Sequence, residues 1–359
     1  MSVEQVMEQK CASCGAPLRF DPEMGKLVCD SCGAKQAIPE ELQIGDVELD
    51  GFDFETMTGH ATDGSAENLP VYNCVSCGAE VIAPAEQIAT TCPYCGNNIV
   101  LTDKIAGKLR PDGLIPFRID KKQLPDAMNR FYKGKALLPK DFFSEHTMGK
   151  VTGVYVPFWM FSGHIDGTLR FRAETVSMFR QGDYQVTQTH HYQVIRDADL
   201  SFRNLPVDAS GRIADSLMDS LEPFDIADAK PFDMRYLAGF TADRFDLAKG
   251  DVAERARRRM IASAESAVSS TLTHYSNVRR AGGSLHAKLS ARYMLLPVYL
   301  FSISHGGKDY AFAVNGQTGK VVGELPISKA ASGRYFWVRM VAAAAAVAAA
   351  FFAKYLIGA

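Results

Sequence analysis

Hydrophobic and polar residues alternate with two different periods along the second half of the chain. A period near 3.6 predicts helices at residues 121–133, 212–221 and 251–272; in the last of these, Val252, Ala256, Met260, Ala264 and Val268 form a stripe with a spacing of four. A period of two predicts strands at residues 154–161, 169–179, 184–194, 293–304, 310–314 and 320–322. This mixture predicts an α+β body with an antiparallel sheet.

Two of the predicted strands resemble each other. Residues 157–162 and 297–302 share the order Pro, apolar, aromatic, apolar, Phe, Ser at an offset of 140. A duplication of a helix and an antiparallel meander would explain the match, and so would chance, because the shared segment is short.

All eight cysteines belong to two copies of one pattern, in which two Cys-x-x-Cys pairs are separated by fourteen residues. The first copy consists of Cys11, Cys14, Cys29 and Cys32, and the second of Cys74, Cys77, Cys92 and Cys95. Two thiol pairs brought together across a hairpin provide the four ligands of a tetrahedral zinc site. The spacing therefore predicts two zinc ribbons, with a disulfide framework as the less favoured alternative.

The composition of each predicted site also indicates its role. A catalytic zinc keeps one coordination position open for water or substrate, whereas four cysteines fill the coordination sphere. We therefore expect two structural zinc ions, and no catalytic metal.

Charge is distributed unevenly, although the formal net charge is only −2. Residues 36–103 contain twelve acidic residues and no Lys or Arg, so the part of the chain from residue 104 onward has a net charge of +11. Binding to a phosphate backbone depends on Lys and Arg. An acidic second ribbon therefore disfavours nucleic acid as its ligand and favours protein.

The C-terminal segment is strongly apolar. Residues 340–353 are uncharged, Lys354 is the one charge up to residue 359, and Tyr335, Phe336 and Trp337 come just before this run. Twenty helical residues span about 30 Å, the thickness of a bilayer core. This pattern predicts a transmembrane tail anchor at residues 335–359, with an alanine-rich packed helix as the alternative.

Motifs that would indicate catalysis are absent from the sequence. It has no His-Glu-x-x-His and no Gly-x-Ser-x-Gly, and residues 316–321 lack the spacing of a phosphate-binding loop. His190 and His191 are adjacent in a predicted strand and so point to opposite faces, which is poor geometry for one metal ion. The cluster formed by Arg255, Arg257, Arg258 and Arg259 is either a solvated helix face or a contact for anionic lipid or for the acidic segment.

Several motifs together resemble a known family. These are the tandem cysteine patterns, Gly153-Val-Tyr-Val-Pro-Phe-Trp159, Leu221-Glu-Pro-Phe-Asp225, Tyr236-Leu-Ala-Gly-Phe240 and the segment from Asn315 to Pro326. They resemble the bacterial TFIIB-type zinc-ribbon-containing membrane proteins, which are often labelled as primosomal replication helicases. The resemblance implies recruitment of stress-response proteins of the phage-shock or flotillin-like type.

The sequence thus predicts a non-enzymatic adaptor at the cell membrane, with a single transmembrane pass and most of its mass in the cytoplasm. Its function would be to recruit a protein partner; the alternative is a nucleic-acid-associated replication or transcription factor. The predicted parts are zinc ribbon 1 at 1–35, an acidic linker at 36–70, zinc ribbon 2 at 71–103, the α+β body at 104–328 and the tail anchor at 335–359.

Overall fold

The computed structural model describes most of the chain. It covers residues 6–7, 10–38, 47–48, 71–73, 80–82, 87–91, 98–101, 110–139, 142, 151–211, 213–243, 245, 247 and 251–357.

The described strands and helices are as follows, in chain order. The strands are β1 (Val6–Met7), β2 (Leu18–Asp21), β3 (Lys26–Cys29), β4 (Lys35–Gln36), β5 (Val47–Glu48), β6 (Val71–Asn73), β7 (Glu80–Ile82), β8 (Gln87–Thr91), β9 (Asn98–Leu101), β10 (Gly113–Leu114), β11 (Thr152–Gln181), β12 (Tyr184–Asp208), β13 (Lys230–Pro231), β14 (Thr241–Asp243), β15 (Ser276–His305), β16 (Lys308–Asn315) and β17 (Val321–Gly323). The α-helices are α1 (Leu124–Tyr132), α2 (Asp215–Ser220), α3 (Asp251–Ser270) and α4 (Lys329–Ile357).

Three long strands form the frame of the molecule. β11 lies in the centre and pairs antiparallel with β12 on one side and with β15 on the other. The turn between β11 and β12 contains Gly182, whose φ of 63° is readily adopted by glycine. The main sheet runs β1-β9-β8-β14-β11-β15-β10-β13, and β2-β3-β4 and β6-β7 form two smaller sheets.

One end of this frame is buried on both faces. Tyr155, Trp159 and Phe161 of β11 belong to one hydrophobic cluster, whereas the alternating residues Phe158 and Met160 belong to another. Because successive side chains of a strand point to opposite faces, a continuous apolar run is what a strand covered on both faces requires. This end of the sheet is the core of the body.

Helix α3 covers one face of the middle of the frame. Met260 and Ala264 are buried in the main core, and Val268 packs against Leu169 and Phe171 of β11. The predicted stripe of small and apolar residues therefore faces the sheet, and the predicted helix at 251–272 is confirmed.

The balance of secondary structure differs from the predicted α+β class, which is wrong. The part of the chain that the structure describes is mostly β, with 47% strand and 25% helix. The predicted strands at 154–161 and 169–179 are parts of the single strand β11, which continues through Ser162, Gly163 and Gly167. Polar and glycine residues ended the apolar pattern without ending the strand, because one face of the sheet is exposed there.

The two similar segments, 157–162 and 297–302, lie in neighbouring strands. Pro157 of β11 is opposite Leu295 of β15, and Tyr155 is opposite Pro297. The two segments thus share an apolar pattern because both strands cross the same buried core.

The C-terminal helix differs from the predicted transmembrane tail anchor. In the part of the chain that the structure describes, no helix is both long enough and apolar enough to cross a membrane. Helix α4 spans 29 residues, but Lys329, Arg334 and Arg339 lie in its first half, and its uncharged run consists mainly of alanine, which contributes little to membrane insertion. The predicted transmembrane helix at 335–359 and the single-pass membrane location are therefore wrong.

Candidate metal centre

The first set of cysteines lies on two tight turns of similar geometry. The backbone N–H of Cys11 donates to the carbonyl of Ala16 at 2.8 Å, and that of Gly15 donates to the carbonyl of Cys11 at 2.9 Å. The second turn repeats this geometry, because the N–H of Cys29 donates to Ala34 and that of Gly33 donates to Cys29, both at 2.9 Å. Gly15 and Gly33 adopt φ values of 71° and 74°, which explains why a glycine follows each cysteine pair.

The β2–β3 hairpin brings the two turns together. The Sγ atoms of Cys11, Cys14, Cys29 and Cys32 all lie within 4.8 Å of one another. The Cys11–Cys32 and Cys14–Cys29 sulfur separations are 3.6 and 3.5 Å, well beyond the ~2.05 Å of a disulfide bond. All four are free thiols, with Cys11 and Cys29 buried and Cys14 and Cys32 exposed.

These distances fit one tetrahedral metal ion. Four thiolates at the usual zinc–sulfur distance of ~2.3 Å would be about 3.8 Å apart. The four cysteines can therefore hold one metal ion, in agreement with zinc, and they provide all four ligands themselves.

The backbone around the sulfurs favours the thiolate at two positions. The N–H groups of Ser13 and Cys14 lower the pKa of Cys11 to about 6, and the N–H of Cys32 lowers the pKa of Cys29. At Cys32, the N–H of Ala34 also lowers the pKa, but the three neighbouring sulfurs outweigh it and raise the pKa to about 12. Four adjacent thiols therefore cannot all ionise by themselves near neutral pH, and a bound cation would supply the compensating charge.

The second predicted site cannot be compared in the same way. Cys74, Cys77, Cys92 and Cys95 lie outside the described residues. Two of the strands beside them are described: β6 ends at Asn73 and β8 ends at Thr91, each one residue before a cysteine pair.

The first ribbon packs directly on the body. The N–H of Phe20 donates to the carbonyl of Ala238 at 3.0 Å, and the ring of Phe20 contacts the edge of the Tyr236 ring at 5.2 Å between centroids. Gly239 has a φ of 90°, and a Cβ atom there would lie 2.9 Å from Cγ of Arg19. The motif Tyr236–Phe240 thus forms the surface that receives the ribbon.

A cleft of about 570 Å³ lies at this junction. Its walls combine apolar and aromatic residues from the ribbon and the body with a few charged side chains. They are Phe20, Pro22, Glu23, Met24, Gly25, Ile38, Pro116, Phe117, Arg118, Ala227, Asp228, Lys230 and Tyr236. Arg118 and Asp228 form an ion pair in its wall. Sequence reasoning missed this cleft, because its lining comes from four separate parts of the chain.

The other candidate residues occupy different places. His190 and His191 point to opposite faces of β12, as predicted, and Nδ1 of His191 lies 3.2 Å from Oε1 of Glu174. Two of the four arginines in the α3 cluster contact other elements of the body. Arg255 pairs with Asp215 at 3.0 Å, and Arg259 donates to both carboxylate oxygens of Glu222 at 2.8 and 3.0 Å.

Two of the sequence motifs bind each other. The side-chain amide of Asn315 donates to the carbonyls of Leu221 and Pro223 at 3.1 and 3.2 Å. Gln317 forms two further hydrogen bonds with the backbone of Asp225. The segments 221–225 and 315–319 therefore have a structural role, which sequence reasoning did not assign.

Comparison with known proteins identifies a relative whose function is uncharacterized. No family model matches the sequence, and no solved structure matches it. The chain is 35% identical over 332 residues to the uncharacterized protein YdjG of Bacillus subtilis (strain 168). This similarity covers 92% of the chain and 93% of the relative. The chain therefore belongs to the same family as the uncharacterized protein YdjG.

Proposed function

We propose that the chain is a non-enzymatic zinc-binding adaptor that binds a protein partner. The observation that carries the proposal is the complete four-cysteine cluster of the first ribbon, which is packed on the body. A site with four thiolates leaves no coordination position for substrate, so its metal would stabilise the ribbon and the surface that the ribbon forms with the body.

Zinc is the metal that this ligand set favours, since four thiolates in tetrahedral geometry are typical of structural zinc. We extend the assignment to a second ion held by Cys74, Cys77, Cys92 and Cys95. The support for it is the sequence, in which the second set repeats the spacing of the first set at all four positions.

The ribbon–body cleft is the partner surface that we propose. The cleft presents apolar, aromatic and charged side chains from both the ribbon and the body, a mixture that suits a protein partner. Met24 is 40% exposed beside the buried Phe20, and Glu23, Asp228 and Lys230 supply charges of both signs. The resemblance to TFIIB-type zinc-ribbon proteins suggests a stress-response partner of the phage-shock or flotillin-like type.

The nucleic-acid alternative has less support. Arg255 and Arg259, two of the four arginines in the basic cluster of α3, already contact carboxylates of Asp215, Asp219 and Glu222. Residues 36–103, which include the second cysteine set, contain no Lys or Arg. Both features reduce the positive charge available to a phosphate backbone.

The test compares two substitutions of exposed apolar residues by aspartate in the full chain. Met24→Asp places a charge in the cleft, whereas Ile327→Asp places the same charge at a residue that is 69% exposed and does not line the cleft. Tagged proteins are purified from the native cell and the co-purifying proteins are quantified by mass spectrometry. We expect Met24→Asp to reduce recovery of a specific partner at least tenfold, and Ile327→Asp to leave it unchanged. Equal recovery with both variants would contradict the assignment of the cleft.

A further inference from the structure

The outer edge of β12 lacks the usual protection of an edge strand. Among the described residues, β12 pairs with β11 alone. Residues 184–195, which we call the open edge, contain no Asp, Glu, Lys, Arg, Pro or Gly. Natural edge strands generally carry charges, proline or bulges that prevent another strand from pairing with them. Twelve residues without any of these are a surface suited to strand addition.

β12, β11 and β15 lie side by side, and the opposite edge of these three strands has the protective features that residues 184–195 lack. It is formed by the first part of β15, which contains Arg279, Arg280, Gly282 and Gly283. The pairing of β15 with β11 also shifts register twice in this part. Charge, glycine and irregular register all disfavour pairing with a further strand. An edge without charges, proline or glycine is therefore found on β12, and the first part of β15 does not share it.

The tip of the β11–β12 hairpin has a second peculiarity. The last pair between β11 and β15 is Glu174 with Ser276, so residues 175–181 pair with residues 184–190 of β12 alone. Apolar side chains there are exposed, with Met178 66%, Phe179 46% and Tyr184 78% accessible. A two-stranded hairpin in water is marginally stable at best. An added strand would stabilise this tip.

We propose that the open edge pairs antiparallel with the open edge of a second copy of this chain, around a two-fold axis at Thr189. Antiparallel pairing of two identical edges keeps the faces of both sheets aligned only if the axis passes through a residue. An axis at Thr189 uses residues 184–194 of both copies and stops short of Arg196. The two hairpin tips then form one four-stranded sheet.

The side chains of this register are complementary. Tyr184 lies opposite the partner's Val194, and Val186 lies opposite the partner's Tyr192. Pairs of an aromatic and a β-branched residue are among the favourable cross-strand pairs. Phe179 is opposite Val186 within each hairpin, so it adjoins the same apolar row. The segment contains no Asp, Glu, Lys or Arg, and His190 and His191 lie opposite the partner's Gln188 and the partner's Thr187, so no like charges face each other.

A second copy fits the open edge better than a charged peptide or a lipid surface. An edge without Asp, Glu, Lys or Arg offers no electrostatic selectivity for a charged partner. The same edge of a second copy, in contrast, places no repulsive cross-strand pair against it. Most soluble homo-oligomers are two-fold symmetric, and such interfaces join the same patch of both subunits.

The test measures the mass of the full-length protein in solution by light scattering over a range of concentrations. We expect a species of about twice the 39.3 kDa chain mass. Thr189→Lys places two positive charges next to each other at the two-fold axis, and we expect it to raise the dimer dissociation constant at least tenfold. Ser177→Lys is the matched control, because Ser177 is an exposed residue of β11 that pairs with Gln188 in the same tip. It should leave the dimer intact.

Hydrogen exchange provides the second readout. In the wild type, backbone amides of residues 184–194 should exchange more slowly as concentration rises, and Thr189→Lys should abolish this dependence. If Thr189→Lys fails to fold, Thr187→Lys replaces it. A wild-type monomer, a dimer that persists in both variants, or dissociation by Ser177→Lys would each overturn the proposal. Binding of the monomer to anionic vesicles through the tip, without dimerisation, would also overturn it.

Discussion

The side chain of Gln317 pairs with the backbone of Asp225 as a neighbouring strand would. Its Oε1 accepts the N–H of Asp225 at 2.8 Å, and its Nε2 donates to the carbonyl of Asp225, also at 2.8 Å. Nε2 also donates to Oδ2 of Asp228 at 2.6 Å. Gln317 is buried, so its loss would leave these backbone groups without a partner in a place that water reaches poorly.

We therefore predict that Gln317→Ala lowers the free energy of unfolding by about 1–3 kcal/mol, the usual cost of leaving buried polar groups unpaired. Thr318→Ala is the control, because Thr318 is exposed and its hydroxyl accepts one weak hydrogen bond from Lys320 at 3.3 Å. Urea denaturation followed by circular dichroism measures both. Equal stabilities of the two variants would refute the structural role of Gln317.

This pair also illustrates what the sequence can and cannot reveal. Residues 315–319 lie between the strands predicted at 310–314 and 320–322, and they connect β16 to β17. The turn itself depends on local residues such as Gly319, whose φ is 73°. The partner of Gln317 lies 92 residues away, and no local pattern identifies it.

The arginines of α3 provide a second contrast. Arg259 contacts Glu222, Asp219 and the carbonyl of Pro206, whereas its neighbour Arg258 is exposed. We predict that Arg259→Ala destabilises the protein by about 1–3 kcal/mol, because hydrogen bonds to charged groups contribute this much and Glu222 would lose its partner. Arg258→Ala should change stability by less than about 0.5 kcal/mol. Thermal unfolding compares the two variants, and similar losses would contradict the prediction.

Asp233 links pH to the surface that receives the first ribbon. Burial raises its pKa, but hydrogen bonds from the guanidinium and the backbone N–H of Arg235 outweigh burial and lower the pKa below its ordinary value of 3.8. Asp233 caps the short helix Met234–Leu237, which carries Tyr236.

A lowered pKa means that Asp233 stabilises the fold above pH 3.8, and that this contribution is lost as the pH falls through the pKa of the folded state. We predict that Asp233→Asn is less stable than the wild type at pH 7 and that the difference shrinks below pH 4. Urea denaturation at both pH values measures it. A difference that is independent of pH would show that the carboxylate charge has no part in it.

Removal of one cysteine tests whether the body remains folded when the first ribbon loses its metal ion. We predict that Cys29→Ser lowers the zinc content by one ion per chain, because a tetrahedral site then lacks a ligand. The unfolding transition of the body should persist, since its core lies on β11 and β15. Ser31→Ala, at an exposed position between two ligands, should retain the metal. Metal analysis by mass spectrometry and calorimetry together decide the outcome.

The metal centre was predictable from sequence to a greater extent than the body. Cys11, Cys14, Cys29 and Cys32 meet as their spacing predicted, because each pair is held by one local turn. The long strands were not predicted at full length. β12 extends from Tyr184 to Asp208, well beyond the predicted segment, because pairing with β11 outweighs the weak local preference of its polar residues.

X-ray absorption at the zinc edge of the purified full-length protein tests the central claim most directly. The claim is that zinc is held by cysteines alone, in a closed structural site. We predict a first shell of four sulfur atoms at ~2.3 Å from the metal, without oxygen or nitrogen ligands. A shell with three or fewer sulfurs and a light-atom ligand would reveal an open site and contradict the claim, as would a purified protein that contains no zinc.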